Sequence, residues 1–424
     1  MSIVYLKGIF AKTVYTKIQN KTKMTFGIIK ERKNPPDRRV VFSPTLLKNF
    51  KTHFPQATIK VESSNVRIFS DEAYLENGFE VTNNMTDCDV LIGVKEVPIE
   101  ALIPNKKYFF FSHTIKKQPY NRKLLQAILE KNIELYDHET IVNKDNNRLI
   151  GFGYYAGIVG AYNAIRAFGL KFELFSLPKA ETLQDQKALI DRLKCNTLPN
   201  IKIVLSGSGK VANGAKEMLD AMKIKQVSVA DYLQKKYDSP VYTCIDVLDY
   251  NKRKDGLVKD RFDFYNNPSN YESDFDKFTH VSDIYIAGHF YGTGAPVILS
   301  NAMLQSPKCK LKVVADISCD VNGPIASTLR ASTIADPFYG YHPLENKEVS
   351  YLHPAALMVM AVDNLPCELP KDASEGFGTV FLEHVIPAFF NNDKDQLLAR
   401  AKITENGKLT HRFAYLQDFV DNKE

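Results

Sequence analysis

From Thr25 onward the chain alternates between short apolar runs and longer amphipathic stretches. "MTFGIIKE" predicts a first strand. "SPTLLKNFKTHFP" predicts a helix, with Ser43 in the capping position and Pro44 at the first helical residue. "ATIKVESS" alternates as a half-buried strand does, and "DVLIGV" and "KKYFFFSH" are short buried strands. "PYNRKLLQAILEKN" carries apolar residues at helical spacing, and "IELYDHE" returns as a strand. Strands and helices in strict alternation predict an α/β fold with a parallel, helix-covered sheet. Residues 151–169, "GFGYYAGIVGAYNAIRAFG", set small residues on several faces, which predicts a closely packed helix joining two domains. Segment 249–280 is polar and dotted with aromatics, and reads as a long loop or insertion. "DIYIAG" and "KLKVVADIS" predict two more buried strands, and "LPKDASEGFGTVFLEHVIPAFF" a long helix capped near Ser374.

The glycine segment between them carries the strongest chemical signal. "IKIVLSGSGKVANGA" is an apolar strand, a glycine turn and a helix, with Gly207, Gly209 and Ala212 in a GxGxxA pattern. The first glycine permits the tight turn, the second lets the backbone approach a pyrophosphate, and the small third residue lets helix pack on strand. N–H groups at the helix start, in the run Ser208, Gly209, Lys210 and Val211, would meet the anion. The plain alternative is a glycine turn in an ordinary βα unit. A second strand, "QVSVAD", is expected to end in Asp231, at about the 20-residue spacing of a ribose-binding acid. A carboxylate there accepts bonds from a free 2′-hydroxyl and repels a 2′-phosphate, so NAD is favoured over NADP; Lys235 and Lys236 keep NADP open.

Composition narrows the class. At 424 residues the chain is too long for one ordinary core, and 44% apolar with 25% charged residues is the make-up of a globular protein. No apolar run approaches the roughly 18 residues a membrane helix needs. The net charge of +6 is small for this length, and no basic, aromatic-studded stripe suggests nucleic acid. Six scattered cysteines form no CxxC pair, which is expected of reduced thiols in a cytoplasmic protein, and no metal site is predicted. Residues 1–24 are lysine-rich without a clean apolar core, so neither a secretory signal nor a transit peptide is expected; Met24 is an alternative start.

One further pattern asks for an explanation. In "VLIGVKEVP", residues 90–98, a buried-looking strand ends in Lys95 and Glu96. The next strand ends in a second polar cluster, "SHTIKKQ", with His113, Lys116 and Gln118. Neighbouring parallel strands would bring these clusters to one side of the sheet, where α/β proteins bind their ligands. Solvated surface charge is the plain alternative.

In order along the chain, "GIIKERKNPPDRRVVFSP", "GVKEVP", "FSHTIKKQ", "LYDHE", "FGYYAGIVGA", "GSGKVANGA", "VVADISCD" and "DNLPCELPKDASEGFG" resemble the lysine-forming saccharopine dehydrogenases. They resemble equally the lysine–ketoglutarate reductase half of the bifunctional lysine-degradation enzyme; both lie within the alanine dehydrogenase and transhydrogenase superfamily. The resemblance runs from about Thr25 to Phe419, and the insertion looks like the reductase half. It implies two Rossmann-like domains separated by an active-site cleft. The substrate domain would be 25–153 plus 375–424, and the dinucleotide domain 154–374. It implies interconversion of saccharopine with lysine and 2-oxoglutarate by hydride transfer, with an alanine dehydrogenase-like or opine-type reaction as the alternative. Nothing in the sequence fixes an oligomeric state.

By the same resemblance Lys95 and His113 are the acid–base pair, with Lys116 lowering and Glu96 raising the basicity of Lys95. Arg39 and Arg148 match substrate-binding arginines, and Glu96, Lys116, Gln118 and Glu139 match positions lining the same pocket. Ala287, Phe290, Ile317, Asp363 and Leu365 match cofactor-side positions, as does Asp320, which a turn explains equally well. The reductase half is generally an NADPH enzyme, which stands against the Asp231 argument.

Overall fold

The computed structural model describes residues 23–423. The extension read at 1–24 therefore lies outside the described residues up to position 22, and Met24 already belongs to the first strand. The chain divides into two compact units. One runs to Ile150 and resumes at Glu375; the other is Gly151–Ser374.

The first unit is built from β1 (Met24–Ile28), α1 (Pro44–His53), β2 (Ala57–Glu62), α2 (Asp71–Glu76), β3 (Glu80–Thr82), β4 (Val90–Ile92), β5 (Lys107–Phe110), α3 (Arg122–Glu130) and β6 (Glu134–Asp137). Its sheet has the order β3-β2-β1-β4-β5-β6. Every pairing is parallel. The chain winds outward from β1 to β3, then returns to lay β4 on the other side of β1. That reversal makes the C-terminal ends of β1 and β4 a topological switch point, where open α/β sheets bind ligands. α1 starts where the sequence predicts it, with Ser43 Oγ accepting from the Leu46 N–H at 3.2 Å. A cluster of phenylalanines fills the core. Phe26 meets Phe50 at 5.1 Å and Phe389 at 5.3 Å, so the C-terminal return packs on this same sheet.

The second unit contains α4 (Gly153–Lys171), α5 (Gln186–Lys194), β7 (Lys202–Ser206), α6 (Lys210–Ala221), β8 (Lys225–Gln226), α7 (Val229–Gln234), β9 (Val241–Ile245), β10 (Asn251–Arg253), α8 (Arg261–Asn266), β11 (Tyr271–Ser273) and α9 (Asp276–Thr279). It continues with β12 (Ile284–Ala287), α10 (Asn301–Gln305), β13 (Val313–Asp316), β14 (Phe338–His342), β15 (Lys347–Val349) and β16 (Leu357–Met360), and then enters α11 (Pro370–His384). The sheet order is β15-β14-β16-β13-β12-β7-β9-β8. It is mixed rather than parallel throughout, because β14 runs antiparallel to both β15 and β16. The small residues of α4 serve a contact within this unit. A Cβ on Gly157 would fall 1.9 Å from the Val211 carbonyl oxygen, and one on Gly214 would fall 2.0 Å from that of Tyr154. The two glycines let α4 and α6 touch backbone to backbone.

Three local expectations are corrected. Segment 249–280 is a folded subdomain, not a loop: β10 pairs with β11, and Tyr250, Phe264, Tyr271, Phe275 and Phe278 are buried in the core on that side of the sheet. The scattered aromatics were the sign of that core. The strand expected to end at Asp231 stops at Gln226, because Ser228 caps a new helix by accepting from the Asp231 N–H at 3.1 Å. Ser374 does not cap the long helix; it lies inside α11, its hydroxyl donating to the Pro370 carbonyl at 2.6 Å.

Candidate functional site

At the switch point of the first unit, β1 runs on to Glu31 and β4 runs on to Lys95. The Glu31 carboxylate accepts the backbone N–H groups of Val94 (2.7 Å) and Lys95 (2.8 Å), fixing the loop that carries Lys95. Burial, with the charge of Asp37 added, pushes the Glu31 carboxyl up to about 8. Asp37 chelates Arg39, with Nε donating at 3.0 Å and Nη2 at 2.6 Å. Burial alone would raise Asp37, but the Arg39 guanidinium outweighs it, and with help from the charge of Lys95 the carboxyl is held at about 2. Lys95 therefore sits within electrostatic reach of Asp37. Arg39 is only 2% exposed, so simple surface charge does not describe it.

His113 follows β5 with a left-handed backbone (φ 55°). That turn is fixed by buried Asp137 at the end of β6, which accepts the N–H groups of Ser112 (2.9 Å), His113 (2.9 Å) and Glu139 (2.7 Å). The His113 ring meets Glu96 through Nδ1, 2.5 Å from Oε1. Burial acts to raise Glu96, yet this bond and the imidazole charge hold the carboxyl below its usual value. An ionised carboxylate accepts only, so Nδ1 carries the hydrogen, and in the neutral ring Nε2 keeps the lone pair. Glu96 is thus the partner of His113. Lys116 pairs with Glu139. His138 completes the frame: burial drives its imidazole down to about 3, and the neutral ring donates Nε2–H to the Gly93 carbonyl at 2.8 Å, just ahead of Lys95.

Beyond His113 lies a second charged group. Glu139 Oε1 meets Arg148 Nη1 at 3.3 Å and Lys116 Nζ at 3.4 Å, while Glu139 Oε2 is buried with no hydrogen-bond partner. The Arg148 guanidinium lies 5.3 Å over the Phe111 ring. Gln118 stays outside this group; it is exposed, and its Oε1 accepts from the Tyr120 hydroxyl. The site thus gathers Lys95, Glu96 and His113, with Lys116, Glu139 and Arg148 joined to them through Asp137. Glu31, Asp37, Asp137 and His138 had no role assigned from sequence.

In the second unit Gly207 follows β7 with φ 107°, and a Cβ there would fall 2.5 Å from the Gly288 carbonyl oxygen. Gly209 precedes α6 with open space where a Cβ would stand. Gly207, Ser208, Gly209, Lys210 and Val211 line a cavity of about 390 Å³ together with Gly288, His289 and Phe290. The fit to a dinucleotide phosphate is good: bare backbone at the helix start, and His289 Nε2 buried without a partner. Burial lowers His289 to about 4, so its ring is neutral.

The other cofactor-side expectations fare unevenly. Phe290 lines the cavity and is 78% exposed. Ala287 is fully buried strand core and offers only its backbone. Ile317 and Leu365 both pack about Gly160 of α4. Asp363 is exposed and accepts from the Asn364 amide at 3.1 Å, and Asp320 forms a turn closed by the Gly323 N–H at 3.0 Å. None of these last five lines the glycine cavity. Asp231 does not either; it is paired at 2.9 Å with Lys235, the residue just past α7. The inference from Asp231 to NAD therefore has no footing in the geometry.

The first unit thus holds paired ionisable groups at its switch point, and the second a glycine-loop cavity of the kind that meets a nucleotide phosphate. Residues 27–159 match the family model described as Alanine dehydrogenase/PNT, N-terminal domain. The solved structure of an L-alanine dehydrogenase shares the fold, with a TM-score of 0.62 over 95% of this chain and all of that one, at 16% identity. Among curated proteins the chain is similar to alpha-aminoadipic semialdehyde synthase of Arabidopsis thaliana, 28% identical over 437 residues, 92% of this chain but 41% of that protein. It is also similar to saccharopine dehydrogenase (NAD(+), L-lysine-forming) of Yarrowia lipolytica, 23% identical over 77% of this chain and 82% of that one. The resemblance read from the motifs is borne out by these relatives. The chain spans less than half the length of the first.

Proposed function

We propose that this chain is an oxidoreductase acting on a C–NH bond, interconverting saccharopine with L-lysine and 2-oxoglutarate with a nicotinamide cofactor. The observation that carries the reading is the switch-point group, in which Lys95 is fixed by Glu31 and His113 is oriented by Glu96. The relatives' names supply the substrate class, and the geometry supports the chemistry it needs.

The nicotinamide, when bound, accepts or supplies the hydride. In the oxidative direction a secondary amine must first lose its proton, and Lys95 in its neutral form takes it. Water must then add to the C=N carbon. His113 Nε2 removes the proton from that water, and the Glu96 carboxylate on Nδ1–H stabilises the imidazolium that forms. The same proton returns to nitrogen, and His113 Nε2, neutral again, takes the carbinolamine hydroxyl proton as the C=O forms, the C–N bond breaks and lysine departs. Lys116 and Arg148 offer cations to substrate carboxylates. The unpartnered Oε2 of Glu139 offers a bond to the lysine ammonium. Gly207, Gly209 and the start of α6 hold the cofactor's pyrophosphate.

Lys95→Met and His113→Gln separate this role from a structural one. Each is expected to lower kcat by roughly 100-fold or more while reduced-dinucleotide binding, read by fluorescence, is unchanged. Full turnover by either variant would remove these residues from the mechanism.

A further inference from the structure

The position of a ribose-recognising residue is set by which strand lies beside the glycine strand, not by which strand follows it in sequence. In this sheet β9 lies beside β7, and β8 is pushed to the edge. Ser206 pairs with Ile245, and the Gly207 N–H donates to the Ile245 carbonyl at 2.8 Å. The residue standing beside the glycine turn is therefore Asp246, which lines the same cavity as Gly207 and Gly209. It occupies the place where a doubly wound sheet meets the adenosine ribose.

Asp246 is not an open carboxylate. Its Oδ1 accepts the Leu248 N–H at 2.8 Å, and its Oδ2 accepts from Nη2 of Arg261. Each oxygen already holds a bond, and the guanidinium cancels the repulsion that a bare carboxylate would direct at a phosphate. Arg261 opens α8, in the 249–280 subdomain, and also lines the cavity. The subdomain holds this helix firmly. Asp263, in the same turn, is bound by Arg253 and accepts from the Tyr271 hydroxyl at 2.8 Å. The Arg261 side chain is 55% exposed, and a guanidinium has five N–H donors in a fixed fork. Tyr265, one turn on from Arg261, brings an aromatic face to the same cavity.

The geometry points to Arg261 as the residue that selects the cofactor: with Asp246 beside it, it grips the 2′-phosphate of an NADP-type dinucleotide. This deepens the dinucleotide reading of the glycine loop and rests on that reading alone, not on the choice of amino-acid substrate. The 249–280 subdomain thereby gains a task, which is to carry this arginine to the glycine loop. A charge-assisted bidentate contact to phosphate is strong and specific for arginine.

Titration calorimetry on the full chain with adenosine 2′,5′-bisphosphate and with adenosine 5′-monophosphate tests the assignment without any turnover. The wild type is expected to prefer the bisphosphate by roughly tenfold or more. Arg261→Gln is expected to erase that preference and leave monophosphate binding and the unfolding midpoint unchanged, while Arg261→Lys retains part of it. A wild-type preference for the monophosphate, or equal weakening of both ligands in Arg261→Gln, would overturn the role of Arg261 and leave the dinucleotide site standing. Failure of both nucleotides to bind the wild type would overturn it together with the dinucleotide reading.

Discussion

Glu31 shows how much a single side chain is asked to do at the switch point. It holds the Lys95 loop through two backbone N–H groups, yet it is buried beside the charge of Asp37, and the balance raises its carboxyl to about 8 from a usual 4.5. The sign of the consequence is fixed by linkage. Between those values the folded state binds a proton that the unfolded chain has released, so stability falls as pH rises from about 4.5 through about 8. The cost above that window is on the order of a few kcal/mol. Glu31→Gln removes this contribution. Its unfolding midpoint is expected to be lower at acid pH, because an amide nitrogen cannot accept an N–H, but to decline less on raising the pH through the window. Parallel curves for wild type and variant would contradict the raised carboxyl. At this scale the sequence was half legible. Lys95, Glu96, His113 and Glu139 could be picked out because charges at the ends of apolar runs are visible locally. Glu31 could not, because its partners, the Val94 and Lys95 N–H groups, follow β4, and the pairing of β1 with β4 is a fact of three dimensions; Asp37 binds Arg39 two residues on, but its reach to Lys95 depends on that same pairing.

Among the elements, the helices declared themselves best. Ser43 and Pro44 mark the start of α1 in the sequence as they do in space, and Ser43→Ala is expected to cost about 1 kcal/mol in denaturant unfolding. The glycine-rich α4 was legible as a closely packed helix, but its partner was not: Gly157 and Gly214 press α4 onto α6 within one unit. A methyl group at either position collides with a backbone carbonyl that no side-chain rotation can relieve. Gly157→Ala is therefore expected to destabilise by about 3 kcal/mol or more, seen as a lowered unfolding midpoint. A neutral Gly157→Ala would mean the two helices have room that the structure denies them. The 249–280 segment was misread for the opposite reason. Its polar residues dominate the composition, while the buried aromatics that fold it are spaced too irregularly to show a period.

For the molecule as a whole, the alternation of strands and helices was enough to predict α/β sheets, and the order of the motifs was enough to suggest the relatives. Strand order was not legible. Spacing alone placed a ribose acid at Asp231, but β9 inserts between β7 and β8 and puts Asp246 beside the glycine turn instead. The antiparallel edge formed by β14 and β15 likewise gave no local signal. The most direct test is the loss of the near-ultraviolet absorbance of reduced nicotinamide when purified chain meets lysine and 2-oxoglutarate, run beside pyruvate and ammonia and with either reduced dinucleotide. The account predicts turnover that requires both lysine and 2-oxoglutarate, with the 2′-phosphorylated dinucleotide preferred. Turnover with pyruvate and ammonia, and none with lysine and 2-oxoglutarate, would contradict it.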